Sequence, residues 1–172
     1  MFLLTLVTGC ASEPPTVGKA IAFEQVCDQS NDGQRVSVEG FLTLPEEIPT
    51  NDTVSVLLEI RPSENVEPRG ERVGVWTTYG SDANQVASVK GVYTAPTLDE
   101  LKNNSQNPPS PNQSSVQGTY THADLKVTTS DGQQITYTDR VRVSGKVVFP
   151  SSPGVTAISP CVLNNPLIER IE

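Results

Sequence analysis

At 172 residues the chain has room for one ordinary domain once a leader and a linker are set aside, and a domain of that size buries a core without metal or several disulfides. A net charge of −8 argues against nucleic acid as a partner, because neutralising phosphates requires clustered Lys and Arg. An apolar fraction of 35% and an aromatic content of 5%, beside 14 Pro and 12 Gly, predict short strands joined by long turns with some disorder.

Residues 1–7 form an almost unbroken apolar run that ends in Val7-Thr8-Gly9-Cys10 and is followed by Ala11-Ser12-Glu13-Pro14-Pro15. This resembles the bacterial lipobox, in which small residues precede a cysteine that takes a diacylglycerol thioether before the leader is cut off at its amino side. The resemblance implies a signal peptide over 1–9, a lipidated tether over 10–19, lipidation at Cys10 and residence in the bacterial cell envelope. Ala11 and Ser12 after the cysteine resemble lipoproteins sorted to an outer membrane. The leader carries no Lys or Arg and is short for the ~7–15 apolar residues of a signal core, so translation is expected to start upstream of Met1. It is also too short to span a bilayer, which takes about 20 apolar residues. Two or three acyl chains, at ~0.8 kcal/mol per buried CH₂, would hold the protein to the membrane permanently. With Cys10 acylated, Cys27 and Cys161 remain as an even pair in an oxidising compartment, so the lipoprotein resemblance implies a disulfide between them. Two separately buried thiols are the alternative.

Residues 20–27 are a brief apolar lead-in, and Asp32-Gly33 makes a turn. Residues 34–44 then alternate as a strand, with Val36, Val38 and Leu42 on one face and Arg35, Ser37, Glu39 and Phe41 on the other. Gly40 inside it predicts a bulge or sharp bend. Residues 53–60, with Val54, Val56, Leu58 and Ile60 facing in, and 72–79, with Val73, Val75 and Tyr79, are the second and third strands. A further strand is expected within 84–93, and Thr97-x-x-Glu100 has the form of a capping box opening a single short helix to about residue 103. Residues 103–117, centred on Asn107-Pro108-Pro109-Ser110-Pro111, hold almost nothing apolar and predict a long disordered loop. Segments 125–129 and 133–137 flank Ser130-Asp131-Gly132 as a hairpin. Residues 141–149 form a strand with Gly145 after two alternating valines, and the last strand is expected over 157–163, ending near Ile168.

Two stretches share a form: Asp32-Gly33-Gln34-Arg35-Val36-Ser37-Val38-Glu39-Gly40-Phe41 and Thr138-Asp139-Arg140-Val141-Arg142-Val143-Ser144-Gly145-Lys146-Val147. Each is a polar turn followed by Val-x-Val-x-Gly. This resembles strands one and four of small five-stranded Greek-key barrels of the OB type, where the glycine lets the strand curl round the barrel. With residues 159–164 as a closing strand, about 17–172 resembles bacterial OB-fold lipoproteins. The expected fold is therefore all-β, a small OB-like barrel over 20–172. An immunoglobulin-like β-sandwich is the alternative; about five strong strands instead of seven, and no Trp between suitably spaced cysteines, argue against it. In an OB barrel strand one lies near strand five, which would bring Cys27 to Cys161.

Asp28, Ser30, Asp32, Gly33 and Glu39 match the spacing of a calcium-binding EF-hand loop, a weak alternative to a plain turn because 36–42 alternates as a strand and Arg35 stands where an apolar residue belongs. No metal or other cofactor is expected. His122 is the sole histidine, placed in a polar stretch and read as a surface residue, which leaves no histidine-based metal site and no Ser-His-Asp or Cys-His chemistry without it. Glu46-Glu47 and Asp99-Glu100 are read as solvated loop charges. Phe41, Leu57 and Trp76 fall opposite the inward valines, on a face that OB barrels use for ligands, unless 93–122 folds over it as a second core. The sequence thus predicts a non-enzymatic, membrane-anchored module that binds an envelope protein, glycan or small ligand. A carboxylate-dependent envelope hydrolase and a purely structural lipoprotein are the alternatives.

Overall fold

The structure, a computed structural model, describes residues 14–45, 55–65, 70–80, 82–87, 121–151 and 159–172. The predicted leader, the lipobox cysteine, the helix at 97–103 and the loop at 103–117 lie outside the described residues. Within them the chain forms β1 (Lys19–Ala20), β2 (Arg35–Thr43), β3 (Ser55–Arg61), β4 (Val73–Tyr79), β5 (Gln85–Val86), β6 (Val127–Thr128), β7 (Gln134–Ile135), β8 (Arg140–Val148) and β9 (Val162–Arg170), with short 3-10 turns and no α-helix.

Five long strands close on themselves. β2 pairs antiparallel with both β3 and β8, β3 antiparallel with β4, β4 parallel with β9, and β9 antiparallel with β8. The circle therefore runs β2-β3-β4-β9-β8, a Greek-key barrel with its parallel seam between the third and fifth long strands. The protein is all-β with a closed OB-like barrel; one closed sheet replaces the two facing sheets a sandwich requires. Its interior follows from alternation. Val36, Val38 and Leu42, Val56, Leu58 and Ile60, Val73 and Val75, Val141, Val143 and Val147, and Leu163 and Ile168 form one buried cluster. β-branched side chains suit these pleated, half-buried strands, and so narrow a barrel fills with side chains and leaves no channel.

Closure depends on where β2 changes partners. Arg35 to Phe41 pair with β8, and Phe41 to Thr43 with β3, so the strand bends at Gly40. A Cβ on Gly40 would sit 2.2 Å from the carbonyl oxygen of Arg61. Gly40→Ala is therefore expected to cost about 3 kcal/mol through forced strand separation, read as a lowered urea midpoint; an unchanged midpoint would show that the bend needs no glycine.

Gly145, at the matching place in β8, faces a bulge. Ser144 pairs with Leu167 and Lys146 with Asn164, so Asn165 and Pro166 together oppose Gly145. Asn165 takes φ +50°, and Pro166, which has no N–H to give, sits at the irregularity where none is needed. The bulge lets the final strand run to Arg170. It begins at Val162, later than the sequence suggested, because the preceding residues serve another purpose: the Gly74 N–H donates to Ser159 Oγ (2.8 Å) and to the Cys161 carbonyl (3.2 Å), anchoring a hook ahead of the strand.

Both ends of the barrel are stopped. At one, β5, β6 and β7 extend from β4, and Val86, Leu125, Val127 and Ile135 join the main core. Asn84 Oδ1 accepts the Ile168 N–H at 2.6 Å and the Ser130 N–H donates to the Ile168 carbonyl at 2.8 Å, tying this small sheet to β9. The β6–β7 hairpin turns at Ser130-Asp131-Gly132, as its composition predicted, with Gly132 at φ +81°. The Thr129 hydroxyl holds the Asp131 carboxyl below the usual carboxylate range. That contribution is present above the ordinary carboxylate pKa and is lost as pH falls through the lowered folded value.

At the opposite end the 3-10 turn Phe23–Gln25 brings Val26 into the core, and Cys27 is joined to Cys161 by a disulfide with a Cα–Cα distance of 5.4 Å. Among the described residues, the barrel interior is occupied by these buried side chains, which directs attention to the outer surface.

Candidate functional site

The outward positions of β2, β3 and β4 carry the predicted ligand residues. Leu57 and Trp76 are direct cross-strand partners, whereas Phe41 pairs with Arg61. Arg61 lies four positions beyond Leu57 along β3, a span of ~13 Å, so Phe41 and Trp76 flank a stretch of sheet instead of forming one aromatic patch. Both are half-buried. Leu57 is only 3% exposed, and its Cδ1 would lie 3.0 Å from a Cβ at Gly74. The absence of a side chain at Gly74 gives the leucine a bed on the sheet, which the outward phase alone did not reveal.

Between the two aromatics lies an ion cluster. Glu59 and Arg61, on the same outward phase as Leu57, are 1% and 2% exposed. Arg61 Nη2 donates to Glu59 Oε2 at 2.5 Å, Arg72 Nη1 approaches Glu59 Oε1 at 3.6 Å, and Arg61 Nε donates to Thr43 Oγ1 at 3.2 Å. The Thr43 hydroxyl in turn donates to the Glu59 carbonyl at 3.4 Å. Among the described residues, one carboxylate here faces two guanidiniums. The sequence did carry a signal for it: in Glu59-Ile60-Arg61 opposite charges stand two apart, hence on one face of a strand.

A second concave surface lies where the N-terminal segment meets β2 and β8. Arg35, projecting outward from β2, donates from Nε to the Thr16 carbonyl (2.5 Å), from Nη1 to the Asn165 carbonyl (2.9 Å) and from Nη2 to the Ser144 carbonyl (3.2 Å). Burial lowers the pKa of its guanidinium, for which these carbonyls compensate. β1 pairs parallel with β2 at Val36 and Ser37, and the Ile21 N–H donates to the Ser37 carbonyl at 3.1 Å. Part of the predicted tether is thus seated on the barrel. Between it and β2 lies a groove of about 340 Å³, lined chiefly by Val17, Ala20, Ile21, Phe23, Glu39 and Arg142. Arg35→Ala is expected to raise amide exchange over 14–21 by tenfold or more and to cost about 2 kcal/mol; unchanged exchange there would mean that β1 pairing alone seats the segment.

The calcium-spaced residues are not gathered. Asp28, Ser30 and Asp32 are exposed around the 3-10 turn Gln29–Asn31, where the Asn31 N–H donates to the Asp28 carbonyl at 2.9 Å. Glu39 is on β2 and binds Arg142 (2.9 Å) and Arg140 (3.0 Å). Among the described residues no three His, Cys, Asp or Glu converge as a metal site. His122 is half-buried in the 3-10 turn His122–Asp124, where Thr121 and Asp124 form a capping box. Glu46, Glu47, Asp99 and Glu100 lie outside the described residues. The chain matches no protein-family model, and no curated protein or solved structure matches it.

Proposed function

We propose that this chain is a lipid-anchored protein of the bacterial envelope, resembling OB-fold lipoproteins, whose barrel is a non-enzymatic binding module for an envelope protein or glycan. The Cys27–Cys161 disulfide carries this reading. Disulfides persist in oxidising compartments, and this one uses two of the three cysteines, leaving Cys10 as the one that ends Val7-Thr8-Gly9-Cys10. An exported chain with a single remaining cysteine in that setting is suited to a diacylglycerol anchor, with the outer membrane as its destination. Mass spectrometry of the membrane-extracted protein is expected to find acylated Cys10 as the first residue; a mature chain that retains unmodified residues ahead of Cys10 would overturn the anchor.

Recognition is assigned to the outward side of β2, β3 and β4, where Phe41 and Trp76 keep part of their surface open; Glu59 and Arg61, buried between them, stiffen the sheet that presents these aromatics. The hydrolase alternative has less support. Glu39, Glu59 and Asp139 each engage arginines, and the unpartnered Glu169 Oε2 has no second carboxylate, Cys or His gathered with it into a group of three among the described residues, whereas acid/base hydrolysis usually pairs an acid with a base. Trp76→Ala is expected to lower recovery of crosslinked envelope partners about tenfold; equal recovery would remove this face from the proposal.

A further inference from the structure

We infer that the groove between residues 17–23 and the outer side of β2 and β8 binds a fatty acid, its alkyl chain along Val17, Ala20, Ile21 and Phe23 and its carboxylate on Arg142. The lining is divided in just this way. Ile21 and Phe23 rest half-buried against the core, Val17 at the lip is 60% exposed, and the polar end is Glu39 with Arg142. A volume of about 340 Å³ falls within the range of small-ligand pockets.

Arg142 is equipped to receive an anion. It gives one Nη donor to Glu39 and makes no other hydrogen bond or ion pair among the described residues, although a guanidinium carries five N–H donors. Glu39 is itself shared with Arg140. Lys19, on β1 beside the groove, adds a further cation, and Glu169, opposite Arg142 in the β8–β9 register, a further anion. The charged lining of the groove is Glu39 with Arg142, so the head group is received by the unused guanidinium donors of Arg142 and not by a net positive field.

The competing occupant, an extended apolar peptide, would gain its main-chain hydrogen bonds by strand addition. β1 already occupies that edge of β2 at Val36 and Ser37, which shortens the edge left to a peptide. Location also favours the fatty acid, and this clause rests on the proposed anchor: Cys10 precedes Val17 by seven residues, at most ~24 Å of extended chain, which keeps the groove within reach of the leaflet that dissolves such amphiphiles.

The test uses the whole mature chain carrying Cys10→Ser, so that acylation plays no part, titrated calorimetrically with dodecanoate below its micelle concentration. One saturable site is expected. Arg142→Gln should weaken binding at least tenfold with partial recovery in Arg142→Lys, and Val17→Asp, at an exposed position that leaves the core intact, should weaken it by a similar factor. Dodecylamine, with the same chain and the opposite head charge, should bind at least tenfold more weakly. Non-saturable uptake, equal affinity in Arg142→Gln and Val17→Asp, or tighter binding of an extended apolar peptide than of dodecanoate would each overturn the proposal. Because the protein is unlipidated, these outcomes are independent of whether Cys10 is acylated in the cell.

Discussion

Replacing Cys27 and Cys161 together by serine is expected to lower stability by about 5 kcal/mol, the largest single loss that any pair of substitutions here should produce. The two cysteines are 134 residues apart, and in the chain-entropy model a cross-link closing so long a loop removes about that much conformational freedom from the unfolded chain. Two structural features add to the effect. Val26, next to Cys27, is fully buried in the main core, and Cys161 immediately precedes β9 and gives its carbonyl to Gly74. The bond therefore fastens the stopper at one barrel end to the strand that closes the barrel. A domain of this size has a total stability of about 5–15 kcal/mol, so the double variant should be marginal at 37 °C. Urea denaturation of the wild type with and without reductant, beside the double serine variant, reads the effect directly. Coincident curves for all three would show that the cross-link constrains nothing the fold does not already hold.

The strands were legible where one face is buried and the other is not. Alternation in 34–44 and 141–149 fixed the inward residues of β2 and β8, and the two Val-x-Val-x-Gly stretches marked both places where a strand must bend or meet a bulge. Other features depended on a neighbour that pattern reading along one strand does not see. The last strand was expected over 157–163, yet β9 runs through Pro166 to Arg170 because Asn165 beside the proline turns through positive φ and Gly145 lies opposite. Residues 14–19 have the composition of a free tether, but Arg35, nineteen positions beyond Thr16, holds them to the barrel. Leu57 looked like an exposed ligand contact until Gly74, on the adjacent strand, gave it somewhere to lie. The Thr-x-x-Asp capping box at Thr121 escaped the sequence reading because it opens a single 3-10 turn in a polar stretch with no apolar periodicity behind it.

The same dependence on cross-strand neighbours governs Glu59 and Arg61. Glu59→Ala should cost about 3–5 kcal/mol, because it removes the carboxylate that compensates a buried guanidinium. Arg61→Ala should cost a comparable amount by leaving that carboxylate, 1% exposed, with Arg72 at 3.6 Å as its ion-pair partner among the described residues. Replacing both by leucine is expected to recover most of the loss, since taking two charges out of water costs nearly as much as their attraction returns. A double-mutant cycle on urea midpoints therefore separates the role of the pair in folding from the desolvation of each member. If the double leucine variant were as unstable as either single one, the cluster would be stabilising in its own right. If it regains stability, the pair is dispensable for the barrel, and its presence on an outward face needs another reason. That outcome makes the double variant a probe of an indirect role: with Glu59 and Arg61 buried, partners reach Phe41 and Trp76 alone, so their recovery is expected to match the wild type, whereas a loss as severe as that of Trp76→Ala would show that the pair positions the aromatics.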